Sequence, residues 1–310
     1  MGRHVVVGAG QIGSPLADTL HRKGHEVVLV SRSGRGPEEV ERIAADASDR
    51  TRLTEIVRGA DVLYNCANPA YHRWPTDWPP LAASLLGAAQ DTGADYVLLG
   101  NLYVYAPPTR PMRESDPLDP PSAKARTRAR MWQDALAAHE AGRVRVTEVR
   151  AGDFFGPGCV DQTHFGERFF PRLLRGKAAS FVYDADQPHT WTYNRDVAEA
   201  LSVAATDERA FGRAWHAPSH PPVSARHIAE VAGKVAGLDS ARVDVLPGWL
   251  IRTLGLFSPM LRELEDVRYQ FTRPFVADSS DFENTFGMTP TPLETAVEET
   301  VAWWRERLAA

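Results

Sequence analysis

The chain of 310 residues carries two cysteines, Cys66 and Cys159, too few for a disulfide-stapled scaffold. Neither lies in a metal-ligand spacing and the histidines are scattered, so no metal site is expected. An uninterrupted apolar run of about 18 residues is absent, which argues against a membrane span. Excess positive charge is absent too: the formal net charge is −5, unlike that of a nucleic-acid-binding surface. The opening "MGRHVVVGAG" runs straight into a strand-like stretch instead of a signal-peptide pattern. With so few cysteines, this points to a reducing, cytoplasmic setting. What remains is ordinary for a globular protein, 43% hydrophobic and 24% charged, in a chain long enough to bury a full core.

Short β-branched runs alternate with longer helical stretches. Strands are predicted at 4–7, 26–30, 42–45, 61–65, 96–100 and 143–150, with helices after the first, at 50–58, from "DWPPLAASLL" to Gly93, and over 122–141. In the first helix Pro15 sits near the first turn, basic residues sit in the last, and Gly24 stops it. The alternation predicts an α/β protein with a doubly wound parallel sheet, a Rossmann arrangement, and a smaller, mostly helical C-terminal substrate domain. The expected division is 1–160, with later segments near 190–205 interleaved, and 161–310. Pro and Gly cluster at 68–80, 106–121 and 217–222, and these are read as loops over a ligand cleft.

Gly8, Gly10 and Gly13 have G-x-G-x-x-G spacing, between a strand and a helix. The first permits a tight turn, the second admits a pyrophosphate, and the third lets helix pack on strand, with Gln11 and Ile12 in the turn itself. A site for NAD usually has an acid at the end of the second strand. "VSRSGRG" offers Ser31, Arg32, Ser33 and Arg35 instead, and a guanidinium suits a 2′-phosphate. NADP is therefore expected ahead of NAD, unless Arg32 is simply solvated. Asp46 either reaches the adenine or caps a turn.

Five segments in order then resemble the short-chain dehydrogenase/reductase superfamily, in its extended epimerase/dehydratase branch. They are "GADVLYNCANPA", "LLGNLYVYAP", "VTEVRAGDFFGPG", "HTWTYNRDVAEALSVA" and the C-terminal "FVADSSDFENTFGMTPTPLETAVEETVAWW". The resemblance implies that Cys66, Ala67 and Asn68 border the cofactor. It also implies a catalytic Ser, Tyr and Lys, and at those positions this chain has Asn101, Lys124 and Arg128. The usual proton relay cannot be carried over, and the chain resembles an atypical member. Asn101 can still donate a hydrogen bond to a substrate oxygen. Lys124 is the candidate proton donor, or a grip on the nicotinamide ribose, or a surface residue. Tyr103 is a secondary catalytic candidate, expected to point the same way as a packed Tyr105 if the segment stays extended.

Tyr71, His72, Trp74, Asp153 and His164 are the substrate-site candidates, with Trp78, Trp191 and Tyr193 nearby. Aromatic groups with a few polar tips suit an apolar or aromatic substrate. The leading expectation is an NADP-dependent oxidoreductase acting on a small carbonyl or conjugated compound. A non-catalytic NADP(H)-binding sensor and a nucleotide-sugar epimerase or dehydratase are the alternatives. Its partner is a small-molecule substrate, not nucleic acid or membrane, and the chain is expected to be a monomer or homodimer.

Overall fold

A computed structural model describes residues 1–257 and 263–310. Seven parallel strands form one sheet. They are β1 (Arg3–Val7), β2 (Glu26–Ser31), β3 (Glu41–Ala44), β4 (Val62–Asn65), β5 (Asp95–Asn101), β6 (Val146–Ala151) and β10 (Ala214–His216), ordered β10-β6-β5-β4-β1-β2-β3. Two short parallel pairs lie outside it: β7 (Asp153–Phe155) with β9 (Trp191–Tyr193), and β8 (Ala179–Val182) with β11 (Val243–Leu246).

β1, β2, β4 and β5 are rich in buried Val and Leu because both faces are covered, whereas the edge strand β3 is largely exposed. Alternate side chains serve opposite faces. Val6, Leu29 and Val97 pack with Leu16 and Leu20 of α1 (Gly13–Arg22) and Val197 and Leu201 of α6 (Asn194–Ala204). Val5, Val28 and Leu98 meet Ile56 of α2 (Arg50–Val57), Leu85 of α3 (Trp74–Thr92) and Trp132 of α4 (Ala123–Glu140). A second core joins Phe155, Phe165 and Phe181 to Phe170 of α5 (Phe170–Leu174), Ile228 of α7 (Ala225–Ala236) and Trp304 of the last helix (Leu293–Ala309). This largely helical region follows the sheet in sequence, apart from α6 and β10, which return to it.

Strand ends differ from the sequence expectation by up to three residues, most at β6, which begins at Val146. Residues 68–80 are only partly a loop: α3 starts at Trp74, with Pro75 in its first turn and Pro79 and Pro80 inside. Those two prolines withhold bonds only from carbonyls near the exposed helix start, so the helix survives them. Residues 68–80 do contribute to the cleft wall, but 106–121 and 217–222 do not. The former segment is pinned elsewhere, through a bridge from Met112 to Ala277. Among the described residues no helix is long and apolar enough to cross a membrane.

Candidate functional site

Strand order reverses between β1 and β4, and a cleft of about 2180 Å³ opens at the carboxyl ends of the strands beside that point. At its first pole, Gly8 has φ +109°, and a Cβ there would lie 2.5 Å from the carbonyl oxygen of Cys66. A Cβ on Gly13 would come within 1.7 Å of the carbonyl oxygen of Gly8, so this glycine lets α1 sit on β1 and does not itself line the cleft. A Cβ on Gly10 would meet nothing within 4 Å: the backbone there faces open cleft. No side chain caps the start of α1, where the Ser14 N–H bonds the Gly10 carbonyl oxygen at 3.2 Å and Pro15 has no N–H, so the helix offers a ligand chiefly its positive end. Gln11 and Ile12 line the same pole, and the Gln11 amide reaches the carbonyl of Asp161 across the cleft mouth.

Ser31, Arg32 and Ser33 line the next stretch, with Arg32 exposed, while Arg35 is exposed and lies off the wall. Asp46 lines the cleft and also closes a turn, accepting from Ser48 N at 2.9 Å and Ser48 Oγ at 2.7 Å. Those bonds hold its carboxyl below the usual range. Cys66, Ala67 and Asn68 continue the wall from β4. Burial pushes the Cys66 thiol up to about 12, so it stays protonated.

Asn101 ends β5 on the cleft wall, its Oδ1 accepting from Tyr103 N at 3.2 Å, so its NH₂ group is what it offers a ligand. Ser122 caps α4 by accepting from Ala125 N at 3.2 Å, and Lys124 and Arg128 follow one turn apart. Their fates differ. Lys124 is buried but does not line the cleft; its ammonium is held by Glu263, lies 3.3 Å from Asp266, and sits over the Tyr71 ring. Arg128 is the one that lines the cleft. Its guanidinium bonds the Leu99 carbonyl and stacks 4.8 Å from the Trp78 ring centre. Among the described residues no carboxylate pairs with it, and its Nε has no partner. Burial depresses its pKa.

The expected alignment of Tyr103 with Tyr105 does not hold, because Leu102–Val104 is a 3₁₀ turn. Tyr103 faces the cleft, whereas Tyr105 is buried against His216 (2.8 Å) and Arg150 (2.6 Å). Tyr71, Trp74, Asp153 and His164 line the second pole with Tyr103. His72 is exposed and off the wall, Trp78 is buried behind Arg128, and Trp191 and Tyr193 are core residues. Burial raises the pKa of both Tyr71 and Tyr103, so neither hydroxyl is poised to ionise.

Two further residues at this pole open family-like segments of the sequence but were not singled out as site residues. His189 precedes β9, whose Trp191 is in register with Asp153, and its Nε2 lies 3.0 Å from Asp153 Oδ2. Phe275 closes the wall from far along the chain. Both depend on pairings too short to read from a repeat pattern.

The cleft at the switch point, with its glycine turn, defines a dinucleotide-binding type of α/β protein. The family described as "NAD dependent epimerase/dehydratase family" matches residues 4–215, and the chain belongs to it. It is 26% identical over 252 residues to the UDP-N-acetyl-alpha-D-glucosaminuronate decarboxylase of Bacillus cytotoxicus, covering 72% of this chain and 76% of that protein. It is 28% identical over 276 residues to the 3-diazoavenalumate denitrifying reductase of a Streptomyces species, covering 80% and 88%. The fold matches the UDP-glucuronic acid 4-epimerase of Bacillus cereus, solved with UDP-glucuronic acid and NAD, with TM-score 0.80 and 19% identity, covering 98% of this chain and 99% of that one.

Proposed function

We propose that the chain is a nicotinamide-dinucleotide-dependent enzyme of the epimerase, dehydratase or decarboxylase type, acting on a nucleotide-sugar-like small molecule. The size and continuity of the cleft carry the reading. At about 2180 Å³ it exceeds the roughly 300–1,000 Å³ of a pocket for one small ligand, so a dinucleotide and a second ligand fit end to end. The decarboxylase relative and the epimerase neighbour are named for UDP-linked sugars, and the neighbour was solved with NAD. They favour this class over the small-carbonyl reductase that the sequence suggested, and NAD over NADP.

The residues fit such a cofactor. The open backbone at Gly10 and the positive end of α1 would hold the pyrophosphate, Ser31 to Ser33 the adenosine ribose, and Asp46 the adenine. Asn101 and Arg128 stand at the nicotinamide end. When bound, the dinucleotide supplies a hydride acceptor or donor. Asn101 would orient the substrate oxygen, and the guanidinium of Arg128, which lines the cleft, would donate to a cofactor or substrate oxygen.

A second reading, an NADP-dependent reductase, keeps two supports. Arg32 stands on the cleft wall where an acid would exclude a 2′-phosphate, and the reductase relative covers more of this chain than the decarboxylase does. Calorimetric titration with NAD and NADP separates the cofactors. The Arg32→Ala variant is expected to lose about 1.5–3 kcal/mol toward NADP and little toward NAD. Incubation with UDP-glucose and UDP-glucuronic acid, followed by proton NMR, tests the reaction. Conversion without net cofactor consumption supports the epimerase type. NADPH consumption with aromatic carbonyl compounds and no UDP-sugar conversion transfers the assignment to the reductase. Binding without any turnover leaves a sensor, and no dinucleotide binding overturns both readings.

A further inference from the structure

Asp153 lines the second pole of the cleft, and a buried histidine, His189, lies against it. Asp153 lies two residues beyond Ala151, which is in register with Asn101 of the neighbouring strand, the residue at the family's Ser position. The ionisable groups that face it come from separate segments: Tyr71, Tyr103, His164, His189 and Tyr269. Lys124 is not among them, since Glu263 and Asp266 hold its ammonium.

His189 is fixed from all sides. Its ring stacks on Trp191 at 3.8 Å and on Phe271 at 5.5 Å, and its Nδ1 lies 3.2 Å from the carbonyl oxygen of Gln270. A carbonyl only accepts, so Nδ1 carries a hydrogen. Nε2 then meets Asp153 Oδ2 at 3.0 Å. Two lone pairs at that distance repel unless a proton is placed between them. The approach is also out of line: neither atom completes a well-directed hydrogen bond, although both are buried. Both atoms are closed to the cleft, so His189 braces the carboxyl from behind while the rest of the Asp153 side chain, 18% exposed, is open to a ligand hydroxyl.

We propose that Asp153 is the proton-transferring group of this site and that His189 positions it, together replacing the Tyr and Lys that the chain lacks. The inference rests on the proposed nicotinamide-dependent reaction. In the oxidising direction a substrate carbinol O–H bond breaks and its proton passes to the Asp153 carboxylate. The adjacent C–H bond breaks with its electron pair, which leaves as hydride to the oxidised nicotinamide, and a C=O bond forms. In the reducing direction the carbonyl carbon takes hydride from reduced nicotinamide and its oxygen takes the proton back from Asp153. Burial would keep the Asp153 proton on, but the neighbouring imidazoles outweigh it and hold the carboxyl below its usual range, so the base form is present at neutral pH. Tyr71 and Tyr103, both raised, remain hydrogen-bond donors.

The experiment uses the full chain with Asp153→Asn and His189→Asn, and two readouts. The first needs no substrate: ring-nitrogen NMR of histidine-labelled protein, with the His189 signal assigned by its loss in His189→Asn. Asp153→Asn is expected to move that signal, because the partner of the shared proton is gone; an unmoved signal overturns the pairing. The second follows the probe turned over above. Asp153→Asn is expected to lower turnover by about 10²-fold or more, with dinucleotide affinity by calorimetry changed less than about twofold. His189→Asn is expected to move the acid limb of the pH–rate profile upward, because the carboxyl loses the group that depresses it, whereas a purely structural role would leave the limb in place. Undiminished turnover in Asp153→Asn overturns the catalytic role. If no probe is turned over by the wild type, the proposed function fails by itself, and the NMR result still decides the pair.

Discussion

Lys124 and Arg128 show how one helical turn separates two roles. Both are buried cations on α4, but the first meets acids from the 263–266 segment and the second meets tryptophan rings, a carbonyl and the cleft. Position alone put Lys124 at the chemistry, and its carboxylate partners, well over a hundred residues away in sequence, were invisible in the local pattern. The substitution Lys124→Met should therefore act on stability. It strands Glu263 and Asp266 near a buried methyl group, but both acids keep some exposure, at 24% and 48% of their side chains, so the loss should be about 1–2 kcal/mol in urea unfolding, below the range for a fully buried pair. Dinucleotide affinity should hold within about twofold. Arg128→Met should do the reverse, lowering ligand affinity by about tenfold or more as one charge-assisted bond is removed. A Lys124→Met protein of full stability that binds the dinucleotide poorly would return Lys124 to the site.

At the scale of elements, the β1–turn–α1 unit carries two glycines with opposite demands. A methyl group at Gly13 runs into the backbone of Gly8, which cannot move without lifting α1 from β1. Gly13→Ala should lower stability by about 2–4 kcal/mol, in the range of severe overpacking, and weaken dinucleotide binding with it. A methyl group at Gly10 meets only open cleft. Gly10→Ala should unfold within about 1 kcal/mol of wild type while dinucleotide affinity falls, since it fills the space the pyrophosphate needs. Equal affinity losses accompanied by equal stability losses would mean that the two glycines share one role. This unit was legible in the sequence because its signals are local: the valine run from Val5 to Val7, fixed glycine spacing, and a helix stop at Gly24. Six of the seven sheet strands were legible from local runs, but β10, the three-residue Ala-Trp-His strand at the sheet edge, was not predicted. The second pole was legible in part: Tyr71, Trp74, Tyr103, Asp153 and His164 were named from the sequence and line it. His189 and Phe275 were not, because they meet it by tertiary pairing across long separations, and α3 was partly taken for loop because its prolines fall where a helix tolerates them.

At the scale of the whole molecule, two buried histidines tie the fold to pH. His4, bonded to the Tyr64 hydroxyl at 2.9 Å, is pushed down to about 4 chiefly by burial, with His25 adding to the effect. His216, between Tyr105 and the Asp278 carbonyl, is pushed down to about 4 chiefly by burial as well. The folded state thus holds both neutral, whereas the unfolded chain takes up protons near the ordinary histidine value of about 6.5. Between those values the unfolded state binds more protons, so stability rises with pH and is lost as pH falls from about 6.5 toward 4. Each histidine contributes on the order of 2–3 kcal/mol across that window. Glu114 and Asp196, raised chiefly by burial, act in the opposite sense and soften the fall. Asp153 and Asp278, held low, add their loss only at more acid pH. Urea midpoints measured from pH 7 to pH 4 should therefore drop steeply below about pH 6.5. In His4→Asn and His216→Asn each variant should begin lower at pH 7 and fall less, because a group that cannot titrate no longer draws protons to the unfolded state. Parallel curves for wild type and both variants would show that the acid sensitivity lies in other groups, among them His164 and His220, which burial also pushes down.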